Sequence, residues 1–449
     1  MATRAYTLCA PLVPLLALAL AGHAWAQPNT KDVLPIDLPT ALRLADERNL
    51  DVAIYVARVA EASAKVAEAR ALAVPSVRVG ADNVHHTGNI QETAGQVLDA
   101  DRISRFRGVD TGLRVDIADA IFAPLVAKQN RAAVMAASTA NRHQVFVEVA
   151  AAYLRLLESR AEDTVVQRAL ERATDLATLT ANYAEAGEGL ESDAQMAAVQ
   201  PLLWRQRRVA TQEQTEATTA ELVRLLHLDP GTALEPMEKE IPPLEIFSDN
   251  EDVNRLVDRA LTDRPETEQY EALVAAAEAD LNAERYKLFV PGVGLDYSTG
   301  RFGGGPGSAI ESTRNRSDLE LTLYWQFDGF GIGHRARTNE KRAELQRAGL
   351  ERDKLRDSIA AEVREDYARV RSYKQQLAIA SVAVQRAQDA YTLNRTRIYD
   401  QQGLPLEALQ SMQMLAAAEL AELQARVGYS LAQIRLHTAL GNPLNSQFP

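Results

Sequence analysis

The chain is written twice, and this constrains its fold more than any other feature. Five landmarks recur in the same order, offset by roughly 215 residues. ALRLADERNLDV (41–52) matches LVDRALTDRPET (256–267) in pattern, AVPSVRVGAD (73–82) matches FVPGVGLDYS (289–298), and Val109–Phe122 matches Asp318–Gly331. GLESDAQ (189–195) then matches GLPLEALQ (403–410), and RLLHLDPG (224–231) resembles RLHTALGNP (435–443). Low identity with constant order and spacing points to one structural plan used twice.

Each copy reads alike. A helix of about 25 residues ends at Pro75 or Pro291, because proline stops the helical pattern and starts extended chain. Two strands follow, about 76–84 and 109–119 in the first copy and about 291–298 and 318–327 in the second. Polar, glycine-rich loops (roughly 85–108 and 299–317) separate the strands of each pair. A very long helix comes next, about 125–186 or 335–401. It is broken at YAEAGEGLESDAQ (183–195) or YDQQGLPLEALQ (399–410) before a further helix, about 191–228 or 405–440. The expected divisions are residues 27–228 and 251–449, joined by a proline-rich linker at 229–250.

Residues 1–26 read as a secretory signal peptide. Arg4 supplies the charge, residues 8–21 the apolar run, and Ala24-Trp25-Ala26 before Gln27 the cleavage site. The only cysteine, Cys9, lies inside it, so the mature chain offers neither disulfides nor thiol chemistry. No cysteine at the cleavage site supports a lipid anchor. No later stretch of about 18 apolar residues exists, so any membrane crossing after export must use strands.

The strands alternate. Leu319, Leu321, Leu323, Trp325 and Phe327 oppose Glu320, Thr322, Tyr324 and Gln326. Val77 and Val79 oppose Arg78 and Asp82; Leu113, Val115 and Ile117 oppose Arg114 and Asp116; Val293, Leu295 and Tyr297 oppose Asp296 and Ser298. Strands of about 9–11 residues with one apolar face suit a barrel with lipid outside and water inside. Two soluble hairpins packed on a core would alternate equally well. Four strands cannot close a barrel, so the barrel reading requires several chains, and three chains would give twelve strands and a passage. The long helices carry seam positions at Leu355, Ile359, Val363, Val370 and Leu377, and at Val145, Val149 and Leu156. Formal net charge is -12, which argues against nucleic acid as a partner.

The duplicated plan, WQFDGFG (325–331), the YDQQGLPLEALQ break and the terminal ALGNP (439–443) together resemble the outer-membrane efflux protein family, the TolC type. The likeness spans the mature chain; DAIFAPL (119–125) is the weaker counterpart of the WQFDGFG segment. The resemblance implies a mainly helical chain with a membrane β-barrel portion, assembling as a homotrimer. A twelve-stranded barrel would cross the outer membrane of a Gram-negative bacterium, on a twelve-helix α-barrel reaching into the periplasm. It further implies a passive exit duct for a tripartite efflux pump or type I secretion system, with no catalysis and no cofactor. The implied partners are outer-membrane lipid, a periplasmic adaptor and an inner-membrane transporter. Adaptor hairpins would contact the glycine-leucine turns Gly189-Leu190 and Gly403-Leu404. Asp193 and Glu407 would line the periplasmic entrance, where carboxylate rings favour cations. Equally, both are helix-start carboxylates suited to the N-terminal dipole. Tyr183, Tyr399 and Arg397 are candidates for contacts that keep the entrance shut. A periplasmic adaptor or a soluble coiled-coil scaffold are the alternative readings. His85-His86 is loop polarity rather than a metal site, and the glycines at 303–307 lack the Lys-Ser/Thr of a phosphate loop.

Overall fold

The duplication reappears as element order in the computed structural model, which describes residues 33–444 apart from 75, 239–240, 242–243, 248–250 and 400–403. The expected signal peptide, Pro75 and Gly403 lie outside the described residues.

A short strand, β1 (Val33–Ile36), leads into α1 (Leu38–Arg48) and α2 (Leu50–Ala71). Asp37 caps α1 through Thr40 N–H at 2.9 Å. Asn49 ends α1 and caps α2, accepting from Asp51 N–H at 2.8 Å. A single helix of about 25 residues was the expectation; a capping Asn with extended backbone (φ -63°, ψ 130°) divides it in two. The amide nitrogen of Asn49 also donates to Leu225 O at 2.8 Å, anchoring this corner.

The first hairpin is β2 (Ser76–Gln91) and β3 (Val97–Asp116); the second is β5 (Gly292–Pro306) and β6 (Ser312–Tyr324). They form one antiparallel sheet in the order β2-β3-β5-β6, so the two copies meet at the β3–β5 pair. The strands run well past the expected ends. Most of the region assigned to the 85–108 loop continues the β2–β3 ladder, with Gln91 opposite Val97.

Between these hairpins lie α3 (Ile117–Glu185), α4 (Glu191–Leu225), β4 (Ala233–Pro236), α5 (Val253–Asp263) and α6 (Pro265–Tyr286). After β6 come a 3-10 turn (Asp328–Gly331), α7 (Ile332–Tyr399) and α8 (Pro405–Ala439). α3 begins at Ile117 rather than near 125, because Asp116 accepts from Ala118 and Asp119 N–H and starts it directly at the end of β3. At 1.5 Å per residue, α3 and α7 each run roughly 100 Å. The linker is not plain coil, since β4 pairs in parallel with β1, Val33 opposite Ala233.

Among the described residues, three cores hold the helices. The first joins α1, β1, β4, the middle of α3 and the last turns of α4 and α8, with Ile36, Phe146, Tyr153, Leu226 and Ile434 fully buried. Burial of each such side chain contributes about 1.5–3 kcal/mol. The second packs α5 on α7 and α8 through Leu256, Ile359, Val363 and Leu436. Here Tyr373 lies against Gly428, where an added Cβ would stand 2.4 Å from the ring, so α7 and α8 approach closely only because that position is bare. The third holds the far ends of the long helices, through Leu176, Ile398, Leu409, Met412 and Leu415.

Candidate channel wall and helix tips

Cross-strand register sorts the sheet into two faces. On one face the rows are Val115–Val293–Leu323, Leu113–Leu295–Leu321, Val77–Thr111–Tyr297–Leu319 and Val79–Val109–Thr299. Their apolar side chains are strongly exposed at both sheet edges, Val79 at 77% and Leu319 at 73%. The next row, Ala81–Arg107–Arg301–Asn315, is charged, so the apolar band stops there while the strands continue. On β3 the band covers residues 109–115, about 20 Å along the strand at ~3.3 Å per residue. The exposed Trp325 and Phe327 follow in the same alternation beyond β6.

The opposite face is polar. Its rows include Arg78–Asp110–Ser298–Asp318 and Gly112–Asp296–Glu320, and Arg114 reaches Asp296 at 3.7 Å. Among the described residues, β2 and β6 each have one unpaired edge. An exposed apolar face together with two open edges is unsatisfied in a single chain in water.

At the other end of the helices are the tips. α3 stops because Gly187 turns left-handed (φ 76°), and the N–H groups of Glu188 and Gly189 both return to Tyr183 O, at 3.0 and 3.1 Å. Leu190 then opens α4 with extended backbone and no side-chain cap. Leu404 opens α8 in the same way, with Pro405 at the first helical position. Leu190 and Leu404 are 66% and 62% exposed, so each tip presents an uncovered leucine.

The two acidic positions differ. Glu407 accepts from Arg397 at 3.0 Å, so its charge is partly neutralised within the α7–α8 hairpin. Asp193 is half-buried beside Leu406 and Leu409, and its carboxylate has no hydrogen bond or ion pair among the described residues. Of the three candidate entrance contacts, Tyr183 joins the two repeats, its hydroxyl donating to Ile398 O at 2.7 Å. Arg397 acts within its own hairpin, and Tyr399 is exposed beneath Arg395 (5.7 Å) on α7.

Other ties between the repeats left little trace in the sequence. Arg172 of α3 donates twice to Glu419 of α8, at 3.1 and 3.2 Å, and lies over the Tyr391 ring of α7. Its one signal is Glu419, the first of two charges interrupting the apolar run LAAAELAEL (415–423). Within the second repeat, Arg264 donates to Glu266 at 3.0 Å and to Glu362 at 2.5 Å. Burial opposes ionisation of Glu266, but the Arg264 hydrogen bonds outweigh it and hold the carboxyl below its ordinary range. Burial pushes Asp366 up and His143 down, favouring the neutral form of each. Burial and the neighbouring Glu238 carboxylate raise the Tyr153 hydroxyl, which stays a proton donor to Glu238 and to Ile36 O.

The family model for outer membrane efflux proteins matches residues 256–442, from α5 to the end of α8. Over that span, most of the second repeat, the chain is similar to an outer membrane efflux protein. No curated protein matches the chain significantly by sequence. Solved structures do match, across nearly the whole chain. The outer membrane protein VceC of Vibrio cholerae aligns at 17% identity, covering 90% of this chain and 96% of its own, with a TM-score of 0.77. The CmeC outer membrane channel of Campylobacter jejuni aligns at 14% identity over 90% and 85%, TM-score 0.73. The open-state MtrE outer membrane channel of Neisseria gonorrhoeae aligns at 18% over 91% and 89%, TM-score 0.71. At such identities the likeness establishes the fold, and it spans the first repeat as well as the second.

Proposed function

We propose that this chain is one protomer of a passive outer-membrane exit duct, assembled as a homotrimer. One observation carries the reading: an open four-stranded sheet, apolar on one face and polar on the other, runs directly into helices roughly 100 Å long. Pairing β6 of one protomer with β2 of the next satisfies both edges, and three copies give twelve strands around a water-filled lumen. The likeness to an outer membrane efflux protein supports this assignment, as does the shared fold of the outer membrane channels. The tips then lie at the periplasmic end. Leu190 and Leu404, with their glycines at 189 and 403, dock a periplasmic adaptor that links the duct to an inner-membrane transporter, in a tripartite efflux pump or a type I secretion system. At the entrance Asp193 faces the passage as a free carboxylate and sets cation preference, while Arg397 offsets Glu407.

The assembly is tested by membrane fractionation followed by mass measurement in detergent. Trimers from the outer membrane are expected; a monomer in the soluble periplasm would favour the coiled-coil scaffold. Docking is tested by Leu190→Glu with Leu404→Glu, which should abolish export while membrane trimers persist. Full export by that variant would remove the tips from the docking assignment.

A further inference from the structure

Between the two repeats lies a cleft of about 470 Å³, walled by α3, α4, α6, α7 and α8. Five guanidinium groups line it. Three are matched: Arg155 by Glu221 at 3.4 Å, Arg264 by Glu266 and Glu362, and Arg369 by Asp366 at 3.0 Å. The remaining acid, Glu148, accepts from Gln144 at 2.9 Å. Arg224 of α4 and Arg435 of α8 have no side-chain hydrogen bond and no carboxylate within ion-pair distance among the described residues. Arg435 feels the Asp366 charge only at longer range.

These two arginines hold the same place in the duplicated plan. Each begins its closing landmark, RLLHLDPG or RLHTALGNP. Duplication alone does not bring equivalent residues together; here α4 and α8 converge on α3 and deliver both into one cavity. The side of the cleft is also defined. At 100° per residue, Ala140, Gln144 and Ala151 lie across α3 from Phe146, Val149 and Tyr153, which pack in the core with α1 and β1. The bulk of α1, β1 and β4 on that core side fits the outside of a tube, which leaves the cleft on the inner wall.

We propose that Arg224 and Arg435 form an anion site on the passage wall, taking a small ligand with two or more carboxylate or phosphate oxygens. Guanidinium groups hold such oxygens through paired, charge-assisted hydrogen bonds, and two of them without internal counter-charges favour an added anion. The site rests on the duct reading, in which three copies make a belt of six arginines within a chain of net charge -12. Anionic cargo that has passed the acidic mouth meets its opposite charge there.

Purified trimers in planar bilayers test this, with citrate and pyrophosphate as probes. Both anions should block the parent channel, and Arg224→Gln with Arg435→Gln should raise the blocking concentration about tenfold, the scale of a lost charge-assisted contact. Arg224→Lys with Arg435→Lys should restore much of the block, and Arg155→Gln, whose charge is already matched, should change it little. Block by pyrophosphate alone would assign the site to phosphate. Channels whose anion block is the same in parent and double variant would overturn the site and leave the duct standing. Absence of any channel from the parent protein would instead overturn the duct reading, and the site with it.

Discussion

α3 and α7 occupy the same place in the two repeats and have nearly the same length, 69 and 68 residues, yet α3 buries twenty residues and α7 eight. α3 packs against α1, α2, α4, α6 and α8; α7 packs against α5, α6 and α8. On α7, Ile379, Val382 and Leu393 remain 60–71% exposed. Duplication therefore copied the element but not its surroundings. The first long helix is completed inside the protomer, and the second keeps apolar surface for something else. In the proposed trimer that partner is a neighbouring protomer, and the exposed Ile54 and Val56 of α2 stand on the other flank of the bundle.

The strongest test of this contrast places one charge on each helix. Val149→Asp buries an unpaired carboxylate and should cost about 4 kcal/mol or more, removing folded protein. Ile379→Asp should leave the protomer's thermal melt nearly unchanged and instead reduce the trimer fraction in detergent. Equal loss of folding by both variants would erase the distinction between a completed and an uncompleted helix.

A smaller effect is expected where the second repeat is held by charge. Arg264→Met leaves Glu266 without its cation and should cost about 2–3 kcal/mol, at the low end because Glu362 is half exposed. Calorimetry should locate the loss above the acid range. Glu266 has a folded-state pKa lowered by Arg264, so its contribution is present above the ordinary carboxylate value and disappears as pH falls through the lowered one. A melting difference that persists undiminished at acid pH would contradict this.

At the tips, Gly187→Ala forces an L side chain into the left-handed turn (φ 76°) and should cost about 1–2 kcal/mol locally. Limited proteolysis near 186–190 should quicken, with the global melt little changed. The smallest expected effect concerns Asp366, a buried acid on α7; α3 buries none. Its folded-state pKa is raised by burial, so whatever stability its protonated form contributes is present below the ordinary value and lost as pH rises through the raised one. Asp366→Asn should therefore raise the melting temperature slightly at neutral pH and not at acid pH, by less than about 1 kcal/mol. A gain that is the same at both pH values would remove titration of Asp366 as its source.

The elements legible from sequence were those with a period. Strand alternation and the paired glycine-leucine breaks could be read off the residues, as could the seam at Ile359, Val363 and Val370, which the structure buries. Element ends were less legible. β2 and β3 continue above the apolar band, where polar residues fill both faces and the backbone ladder persists without a pattern to announce it. β1 and β4 are four residues each, too short to show a period, and β4 lies in the proline-rich segment read as linker. At the tips, sequence located the residues but not their bonds. Tyr183 reaches a main-chain oxygen, a partner that any side chain at Ile398 would supply equally. Arg224 and Arg435 stood in the repeat landmarks throughout, but only the fold brings them into one cavity.

The β1–β4 pair also bears on how the chain reaches its folded state. Val33 must wait for Ala233, and the same core that holds Ile36 also holds Leu444. Synthesis delivers those partners in order, so the first core cannot close until Leu444 has arrived. High contact order of this kind slows folding and prolongs exposure of apolar chain. The first strand thus stays unmatched until Ala233–Pro236 is made, and the core around it closes only when Leu444 follows.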